Sequence, residues 1–234
     1  MCVECGCGDV EIVSVEAHDR LLAKNDAVAR HNREHFAEHG VLALNIMGSP
    51  GSGKTALLEA TARAATGWRL AGVSGDLATD RDAVRLTQSG IDARSITTGT
   101  ACHLDAKMIH EALHEFPHLP EIFFVENVGN LVCPAIYDLG QAANVVLLSV
   151  TEGEDKPLKY PVMFQHADLV LITKMDLLRA LPEVSVRAMR SAIASVNPVP
   201  PVLEVSARTG EGLDAWIDWL RLRRANAVRE EAVS

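Results

Sequence analysis

The residues with the clearest chemical meaning form a glycine-rich segment that ends in lysine and threonine. Residues 48–55 read GSPGSGKT, between an apolar stretch at 41–47 and the helix-forming stretch ALLEATARAA. A strand, a loop and a helix in this order form a P-loop, whose backbone N–H groups bind the phosphates of a nucleotide. The lysine charge suits the β- and γ-phosphates, and the threonine hydroxyl suits Mg²⁺. The predicted phosphate-binding residues are Gly48, Ser49, Pro50, Gly51, Ser52, Gly53, Lys54 and Thr55.

Two short motifs in the second half of the chain favour guanine over adenine. TKMD, residues 173–176, follows an apolar stretch, and its aspartate can accept hydrogen bonds from guanine N1–H and the 2-amino group. Adenine has no matching donors, so a preference for GTP follows. Residues 206–210, SARTG, resemble the SA-x motif in which a backbone N–H reaches guanine O6. Threonine replaces the usual asparagine of NKxD, which we expect to weaken affinity only. The predicted base-site residues are Thr173, Lys174, Asp176, Ser206 and Ala207.

Two further strand ends are candidates for sensing the γ-phosphate and binding Mg²⁺. EIFFVEN leads into Glu126 and Gly129, which resemble a D-x-x-G switch with glutamate in place of aspartate. The stretch LAGVSGD ends at Asp76, and the loop to Asp80 is the predicted first switch. Without an identifiable catalytic glutamine or arginine finger, we expect slow intrinsic hydrolysis. The predicted magnesium ligands are Thr55, Asp76, Asp80 and Glu126, the predicted catalytic residues are Lys54, Asp76 and Glu126, and Gly129 joins the GTP-binding set.

Three of the five cysteines fall within the first seven residues, as Cys2, Cys5 and Cys7. C-x-x-C-x-C brings three thiolates close enough to bind one soft metal ion. Removal of Met1 would free an α-amino group as a fourth ligand. Ligand softness favours zinc or copper(I), whereas square-planar N/S coordination would suit nickel(II).

A second set of metal-ligating residues lies inside the predicted nucleotide-binding region. Cys102 and His103 are adjacent, and Cys133 follows four residues after the switch glycine. Three N/S ligands are fewer than a closed structural site needs, so water or a second copy of the chain would complete it. The alternative is a buried cysteine pair beside an unrelated histidine.

Two histidine series recur at helical spacing. The series His31, His35 and His39 is predicted to lie on a solvated helix face, because glutamates neighbour it. His110 and His114 are candidates for supplementing the Cys102 site.

Composition limits the class of protein. The chain has 234 residues, 48% of them hydrophobic but only 4% aromatic, and a net charge of −9, which argues against general nucleic-acid binding. Apolar runs are too short to span a membrane, no export signal is evident, and we expect a cytosolic protein.

Strand-like stretches alternate with helical ones, which predicts an α/β P-loop GTPase fold with a mostly parallel sheet and helices on both faces. The strand-like stretches are 41–47, 69–74, 92–97, 121–126, 144–150, 168–173 and 201–205, and the helical ones are 55–65, 81–89, 104–115, 156–166, 183–196 and 212–225.

The predicted domain organisation has four parts. A metal-binding segment at 1–14 and a helical lead-in at 15–40 precede a GTPase domain at 41–225, and a frayed tail occupies 226–234.

The chain resembles the HypB family of hydrogenase-maturation GTPases in the order of its motifs. These are CxxCGC at the start, then the P-loop, E-x-x-G, TKxD and SA-x, with the Cys-His…Cys set between. The resemblance covers essentially the whole chain, including NIMGSPGSGKTALLE and EGEDKPLKYP. It implies a GTPase of the signal-recognition and MinD-type (SIMIBI) class that forms a homodimer with nucleotide. It also implies nickel delivery to the large subunit of [NiFe]-hydrogenase, with a HypA-type nickel- and zinc-binding partner and sometimes a metal-binding prolyl isomerase.

The same resemblance implies roles for the two cysteine sets. Cys2, Cys5 and Cys7 would form a tight nickel site, and Cys102, His103 and Cys133 a nickel- or zinc-binding site at the dimer interface. The long histidine-rich stretch of many relatives is absent, so nickel storage is not expected. The alternatives are a GTPase chaperone for another metalloenzyme, such as urease, or a metal-sensing GTP switch; a nucleotide kinase fits the base motifs poorly.

Overall fold

A parallel sheet of seven strands runs through the centre of the chain, in the order β3-β2-β4-β1-β5-β6-β7. The structure is a computed structural model that describes residues 15–65, 67–99 and 101–231. The N-terminal cysteine motif, with Cys2, Cys5 and Cys7, lies outside the described residues. The strands are β1 (Leu42–Gly48), β2 (Leu70–Asp76), β3 (Asp92–Thr97), β4 (Ile122–Glu126), β5 (Ala143–Ser149), β6 (Leu169–Thr173) and β7 (Val202–Glu204).

Helices connect successive strands and cover both faces of the sheet, as crossovers between parallel strands require. The helices are α1 (Val15–Glu38), α2 (Lys54–Ala64), α3 (Arg81–Gln88), α4 (Ala106–Leu113), α5 (Cys133–Ile136), α6 (Lys156–Lys159), α7 (Pro161–Gln165), α8 (Val186–Val196) and α9 (Leu213–Glu231), with a 3₁₀ helix at Met175–Ala180. Within the described ranges, no helix combines the length and apolar composition that a membrane crossing needs.

The central strand β1 is buried along its whole length and supplies both layers of the core. Leu44 and Ile46 pack with α2 and α9 residues on one face of the sheet, whereas Ala43 packs in the cluster on the other face. This alternation follows from the two-residue period of a strand. Because both faces are covered, the C-terminal end of β1 holds the P-loop firmly in place.

Helix α9 is fixed to the P-loop helix α2 by a buried indole. Trp216 is fully buried and its Nε1–H donates to Thr61 Oγ1 at 2.8 Å. The Thr61 hydroxyl in turn donates to the carbonyl of Leu57 at 2.8 Å, and the Trp216 ring stacks on Trp219 with centroids 5.5 Å apart. The only hydrogen-bonding group of the indole is therefore satisfied within the core.

Two asparagines fix helix α1 against the N-terminus of α4. Asn32 is fully buried, and its Nδ2 donates to the carbonyls of Ala106 at 2.8 Å and Leu139 at 3.1 Å. Asn25 accepts from the Ala106 N–H at 2.9 Å and donates to the Asp138 carbonyl at 2.7 Å. Such bonds are directional, so they set the register of one helix against the other.

The predicted α/β fold is confirmed, with two local differences. The helical stretch predicted at 156–166 is divided into α6 and α7, because Pro161 begins a new helix after Tyr160. Helix α9 continues to Glu231, beyond the predicted end at 225. Asn226 and Ala227 line a groove with Phe36 of α1, which gives this last part of the helix a packing partner.

Candidate nucleotide and metal sites

The P-loop joins β1 to α2 through residues with left-handed backbone conformations. Gly51 has φ of 75° and Gly53, just before α2, has φ of 99°, a region that side-chain-bearing residues rarely adopt. Lys54 is buried, and its Nζ donates to the carbonyls of Gly48 and Ser49, each at 3.1 Å. The lysine therefore lies across the loop, beside the helix N-terminus where the phosphates of a nucleotide would bind.

Oxygen atoms from three elements meet beside the first turn of α2. Thr55 Oγ1 donates to Glu126 Oε1 at 2.7 Å and lies 3.0 Å from Asp82 Oδ1. Glu126 ends β4 and is paired in register with Ser74 on β2, whose hydroxyl lies 3.5 Å from Glu126 Oε2. Carboxylate and hydroxyl oxygens at this spacing suit Mg²⁺, so Thr55, Glu126 and Asp82 fit a magnesium site.

Burial dominates the ionisation of this site. It raises the pKa of Glu126 to about 7, with nearby Asp82 raising it further and the Thr55 hydrogen bond opposing the shift. Burial also lowers the pKa of Lys54, although the charges of Glu126, Asp82 and Glu152 oppose that change. A bound divalent cation would favour the ionised form of Glu126.

The predicted first switch begins at Asp76, at the C-terminal end of β2. Asp76 Oδ1 accepts from the N–H groups of Ala78 and Thr79, both at 2.9 Å. These backbone hydrogen bonds lower the pKa of Asp76, so its carboxylate shapes the loop in the ionised form. Asp80 is exposed at the residue before α3 and makes no side-chain cap there.

A pocket of about 440 Å³ extends from the P-loop over these oxygen atoms. Asp76 and Asp82 line it, whereas Asp80 does not. Gly129 borders the pocket opposite Pro50 so closely that a Cβ at Gly129 would lie 2.8 Å from Pro50 Cγ. The predicted switch glycine is therefore in contact with the phosphate-binding loop.

A second pocket, of about 350 Å³, lies beside the first and contains the predicted base-site motifs. Asp176 Oδ1 accepts from the Ser206 hydroxyl at 2.7 Å, which orients the carboxylate. Thr173 Oγ1 donates to the carbonyl of Ser52 at 2.7 Å, so the residue that replaces asparagine links this site to the P-loop. Lys174 adopts φ of 60°, and its aliphatic stem passes 4.0 Å from the Cβ position of Gly53. The pocket lining includes Thr173, Lys174, Asp176, Ala207 and Gly53.

Cys102, His103 and Cys133 converge on one point, with candidate ligand atoms all within 4.8 Å of one another. The two sulfur atoms are 3.0 Å apart, and Cys102 Sγ lies 3.8 Å from His103 Nδ1. The imidazole stacks on Tyr137 at a centroid distance of 3.8 Å, which holds the ring in place. All three side chains are half-buried, so a bound ion would keep contact with the surface.

Burial keeps the Cys133 thiol protonated and the His103 imidazole neutral when no metal ion is bound. Burial, and then the hydrogen bond and charge of Cys102, raise the pKa of Cys133 to about 11. Burial lowers the pKa of His103, which keeps the imidazole neutral and able to ligate. A metal ion would displace the thiol proton and gain a thiolate ligand.

A buried asparagine network links the nucleotide pocket to the cysteine cluster. Asn127 directly follows Glu126, and its Oδ1 accepts from the Leu104 N–H at 3.2 Å, two residues after Cys102. Its Nδ2 donates to Asn45 Oδ1 at 3.1 Å, and Asn45 Nδ2 lies 3.4 Å from the carbonyl of Pro134. The network therefore contacts both segments that carry the soft ligands.

The histidine series come together with each other, not with the cysteines. His31 and His35 of α1 line one pocket with His110 and His114 of α4. Only the cysteine cluster, among the residues the structure describes, brings three candidate ligand atoms within 4.8 Å.

Sequence reasoning missed three residues that border the nucleotide site. Asp82 lies beside the Thr55 hydroxyl, and Arg85 lines the same pocket while Glu59 binds its guanidinium through two bonds of 3.0 Å. Glu152 accepts a hydrogen bond from the Ser49 hydroxyl. The one available signal was the position of Asp82 in the first turn of α3. Acidic residues stabilise a helix at this position in any case, so the signal does not distinguish a binding role.

Comparison with known proteins agrees with this geometry. A family model described as "CobW/HypB/UreG, nucleotide-binding domain" matches residues 42–204. The "Hydrogenase maturation factor HypB" of Rhizobium leguminosarum bv. viciae is 47% identical over 229 residues, covering 97% of this chain and 76% of that protein. The chain belongs to the HypB family.

Two solved HypB structures share the fold. The HypB of Helicobacter pylori, crystallised in complex with nickel, has a TM-score of 0.83 and 40% identity over 87% of this chain and 96% of that one. The HypB of Archaeoglobus fulgidus has a TM-score of 0.80 and 41% identity over 87% of this chain and 100% of that one. The predicted HypB resemblance and P-loop GTPase fold are thus confirmed, whereas the individual site residues stay predictions.

Proposed function

We propose that this chain is a GTPase that delivers nickel during maturation of [NiFe]-hydrogenase and that GTP hydrolysis times the release of the metal. The observation that carries the proposal is the contact of Asn127 with Leu104, which joins the nucleotide pocket to the Cys102 cluster. The printed names of its relatives supply the process: hydrogenase maturation in the Rhizobium protein, and a nickel complex in the Helicobacter protein.

The proposed reaction is attack of water on the γ-phosphorus of GTP, which breaks the bond to the β–γ bridging oxygen and yields GDP and phosphate. Lys54 neutralises charge on the β- and γ-phosphates, and the Gly129 N–H contacts the γ-phosphate. Thr55 and Glu126, with Asp82 or Asp76, would hold Mg²⁺, which would supply positive charge next to the β- and γ-phosphates. Asp176 selects guanine, with Ser206 orienting its carboxylate.

Nickel is the proposed cargo of the soft-ligand sites, and zinc is a competing occupant of the Cys102 cluster. Thiolate and imidazole ligands suit both ions, whereas the oxygen ligands near Thr55 suit Mg²⁺. The ions are therefore sorted by ligand chemistry. Cys2, Cys5 and Cys7, with their three sulfurs, are the proposed tight nickel site.

A homodimer that closes over the Cys102 cluster fits the surroundings of that site. Val132 and Ile136, on either side of Cys133, are each 40% exposed, so apolar surface borders an open coordination position. A second copy of the chain would cover this surface and complete the ligand set. The further proposed partners are a HypA-type protein, the hydrogenase large subunit and a metal-binding prolyl isomerase, all in the cytoplasm.

Coupling follows from a change in the segment at the end of β4, where Glu126 would hold Mg²⁺ and the Gly129 N–H would contact the γ-phosphate. When GTP orders Glu126 and Gly129, Asn127 between them is held in its bond to Leu104. After hydrolysis the switch relaxes, and the segments carrying Cys102 and Cys133 lose that restraint. Nickel affinity would then differ between the GTP and GDP states.

The proposal is tested by nickel release from the full chain to a chromophoric chelator. We expect different release rates with GTP, with GDP and with a non-hydrolysable GTP analogue, and the Cys133→Ser variant should lose the difference. Asp155→Asn, which changes an exposed acidic residue outside both sites, is the matched control. Equal release in all three nucleotide states would refute coupling.

A further inference from the structure

Four histidines from two different helices surround one surface pocket. His31 and His35 lie one helical turn apart on α1, and His110 on α4 is one turn before His114, the residue that caps the C-terminus of α4. All four line a pocket of about 320 Å³. Residues at i and i+4 project from one face of a helix, so each helix presents a pair of imidazoles to the same space.

The register that brings the two pairs together is fixed by buried hydrogen bonds. Asn32, adjacent to His31, donates to the Ala106 carbonyl at 2.8 Å, and Asn25 accepts from the Ala106 N–H at 2.9 Å. These bonds anchor α1 to the first residue of α4. The histidine pairs therefore face each other because of the packing of the core, independently of any surface contact.

The separation of the α4 nitrogens suits a shared metal ion. Nε2 of His110 and Nε2 of His114 are 3.4 Å apart. Two imidazoles bound to one tetrahedral ion at about 2.0–2.1 Å would place their nitrogens about 3.4 Å apart. The His31 ring reaches across from α1 to within 5.1 Å of the His110 ring, centroid to centroid.

Part of the pocket lining is apolar, and one of the four histidines is affected by burial. Leu113, Phe116 and Leu119 form the apolar lining of the pocket. Burial lowers the pKa of His35, and the charges of His39 and His31 lower it further, against the opposing effect of Glu38. A divalent ion can satisfy several neutral rings at once, whereas protons on all of them would repel one another.

We propose that His110 and His114, whose Nε2 atoms are already at ligand spacing, bind a divalent transition-metal ion such as Ni²⁺ or Zn²⁺, and that the side chains of His31 and His35 rotate toward the ion to complete the site. Imidazole nitrogens suit ions of this class, and the absence of thiolates makes the site less soft than the Cys102 cluster. None of Cys102, His103 and Cys133 lines the histidine pocket, so the two sites are separate. The site does not depend on nucleotide binding.

The test uses the full chain with all five cysteines changed to serine, so that both thiolate sites are removed. Titration with Ni²⁺ and with Co²⁺, followed by equilibrium dialysis and by the visible spectrum of Co²⁺, should show one bound ion without a sulfur charge-transfer band. GTP binding by each variant reports that it is folded, since the histidines lie outside the nucleotide pockets.

His110→Gln with His114→Gln should weaken binding at least tenfold, and so should His31→Gln with His35→Gln. The matched control is His118→Gln with His166→Gln, two exposed histidines outside the pocket, which should leave affinity unchanged. No bound ion in the cysteine-free chain, or equal affinity in the control and in either test pair, would overturn the site. In the chain with native cysteines, the variant with His110→Gln and His114→Gln should bind one ion fewer than the parent. This count is an independent second measurement.

Discussion

The side chain of Asn127 accepts a hydrogen bond from the backbone N–H of Leu104 at 3.2 Å, and this bond joins the end of β4 to the loop that carries Cys102 and His103. Asn127 is 1% exposed, so water does not compete for the bond. A buried amide with several protein partners is sensitive to small displacements of any of them. The bond therefore connects the residue beside Glu126 directly to the loop that carries two candidate metal ligands.

Replacing Asn127 with alanine should reduce the dependence of metal affinity on nucleotide. It removes the acceptor of the Leu104 and Val128 N–H groups and the donor to Asn45 Oδ1, at a cost of about 1–3 kcal/mol in the free energy of unfolding. Asn197→Ala is the control, because Asn197 donates to the carbonyls of Phe164 and Gln165 far from both sites. Urea unfolding and metal titration with GTP and GDP provide the measurements. An unchanged ratio of affinities in Asn127→Ala would rule out this connection.

The ionisation of Glu126 predicts an unusual pH dependence of stability in protein freed of nucleotide and Mg²⁺. The folded pKa of about 7 lies above the ordinary value of 4.5, so the folded state holds the proton more tightly. The proton on Glu126 therefore stabilises the folded state. Its contribution to the free energy of unfolding is fully present below pH 4.5 and is lost as the pH rises to 7, by about 3 kcal/mol in total.

Glu126→Gln should remove this loss, so that the variant is more stable than the parent at pH 8 and yet hydrolyses GTP more slowly. Urea unfolding of both proteins between pH 5 and 8 measures the difference, and exposed Glu111→Gln is the control. Parallel stability curves for parent and Glu126→Gln would contradict the burial argument.

Asp176→Asn should change the preferred base. The aspartate accepts from the N1–H and 2-amino groups of guanine, whereas an asparagine N–H can donate to the 2-oxo group of xanthine. We expect GTP affinity to fall by at least about 100-fold and XTP affinity to rise. The Ser206 hydroxyl can still donate to the amide oxygen, which preserves the local fold. Competition between labelled GDP and XDP gives the answer, and preserved GDP preference would place the base elsewhere.

Gly129→Ala should impair phosphate binding, because a Cβ at this position meets the Pro50 ring at 2.8 Å and its nitrogen at 2.9 Å. Relief of the contact requires movement of the P-loop or of the switch. The control is Gly90→Ala, which adds left-handed backbone strain at φ of 98° but has no neighbour to meet. Nucleotide affinity and single-turnover hydrolysis distinguish the two variants, and equal losses in both would mean that the contact with Pro50 is not the cause.

The P-loop and the fold could be predicted from the sequence because each is indicated by residues that are close together in the chain. Eight consecutive residues define the phosphate loop, and each strand of the sheet is a short apolar run with turn residues at its ends. The cysteine cluster was also foreseeable, since Cys102 adjoins His103 and Cys133 follows a recognisable switch.

The remaining features depend on packing between distant segments. Helix α3 begins at the predicted residue 81, yet the contact of Asp82 with Thr55 depends on how α3 packs beside α2, which periodicity does not resolve. The convergence of His35 with His114 depends on the register of α1 against α4, which Asn32 fixes from the buried side. Such contacts join positions far apart in the chain and leave no local pattern.

The indole bond of Trp216 to Thr61 gives the protein a built-in optical reporter. Indole emission shifts in wavelength when its surroundings or its hydrogen bond change, and this indole is anchored to the very helix whose first turn carries Lys54 and Thr55. A movement of α2 when a nucleotide binds would therefore alter this emission, so nucleotide binding can be measured without attaching a dye.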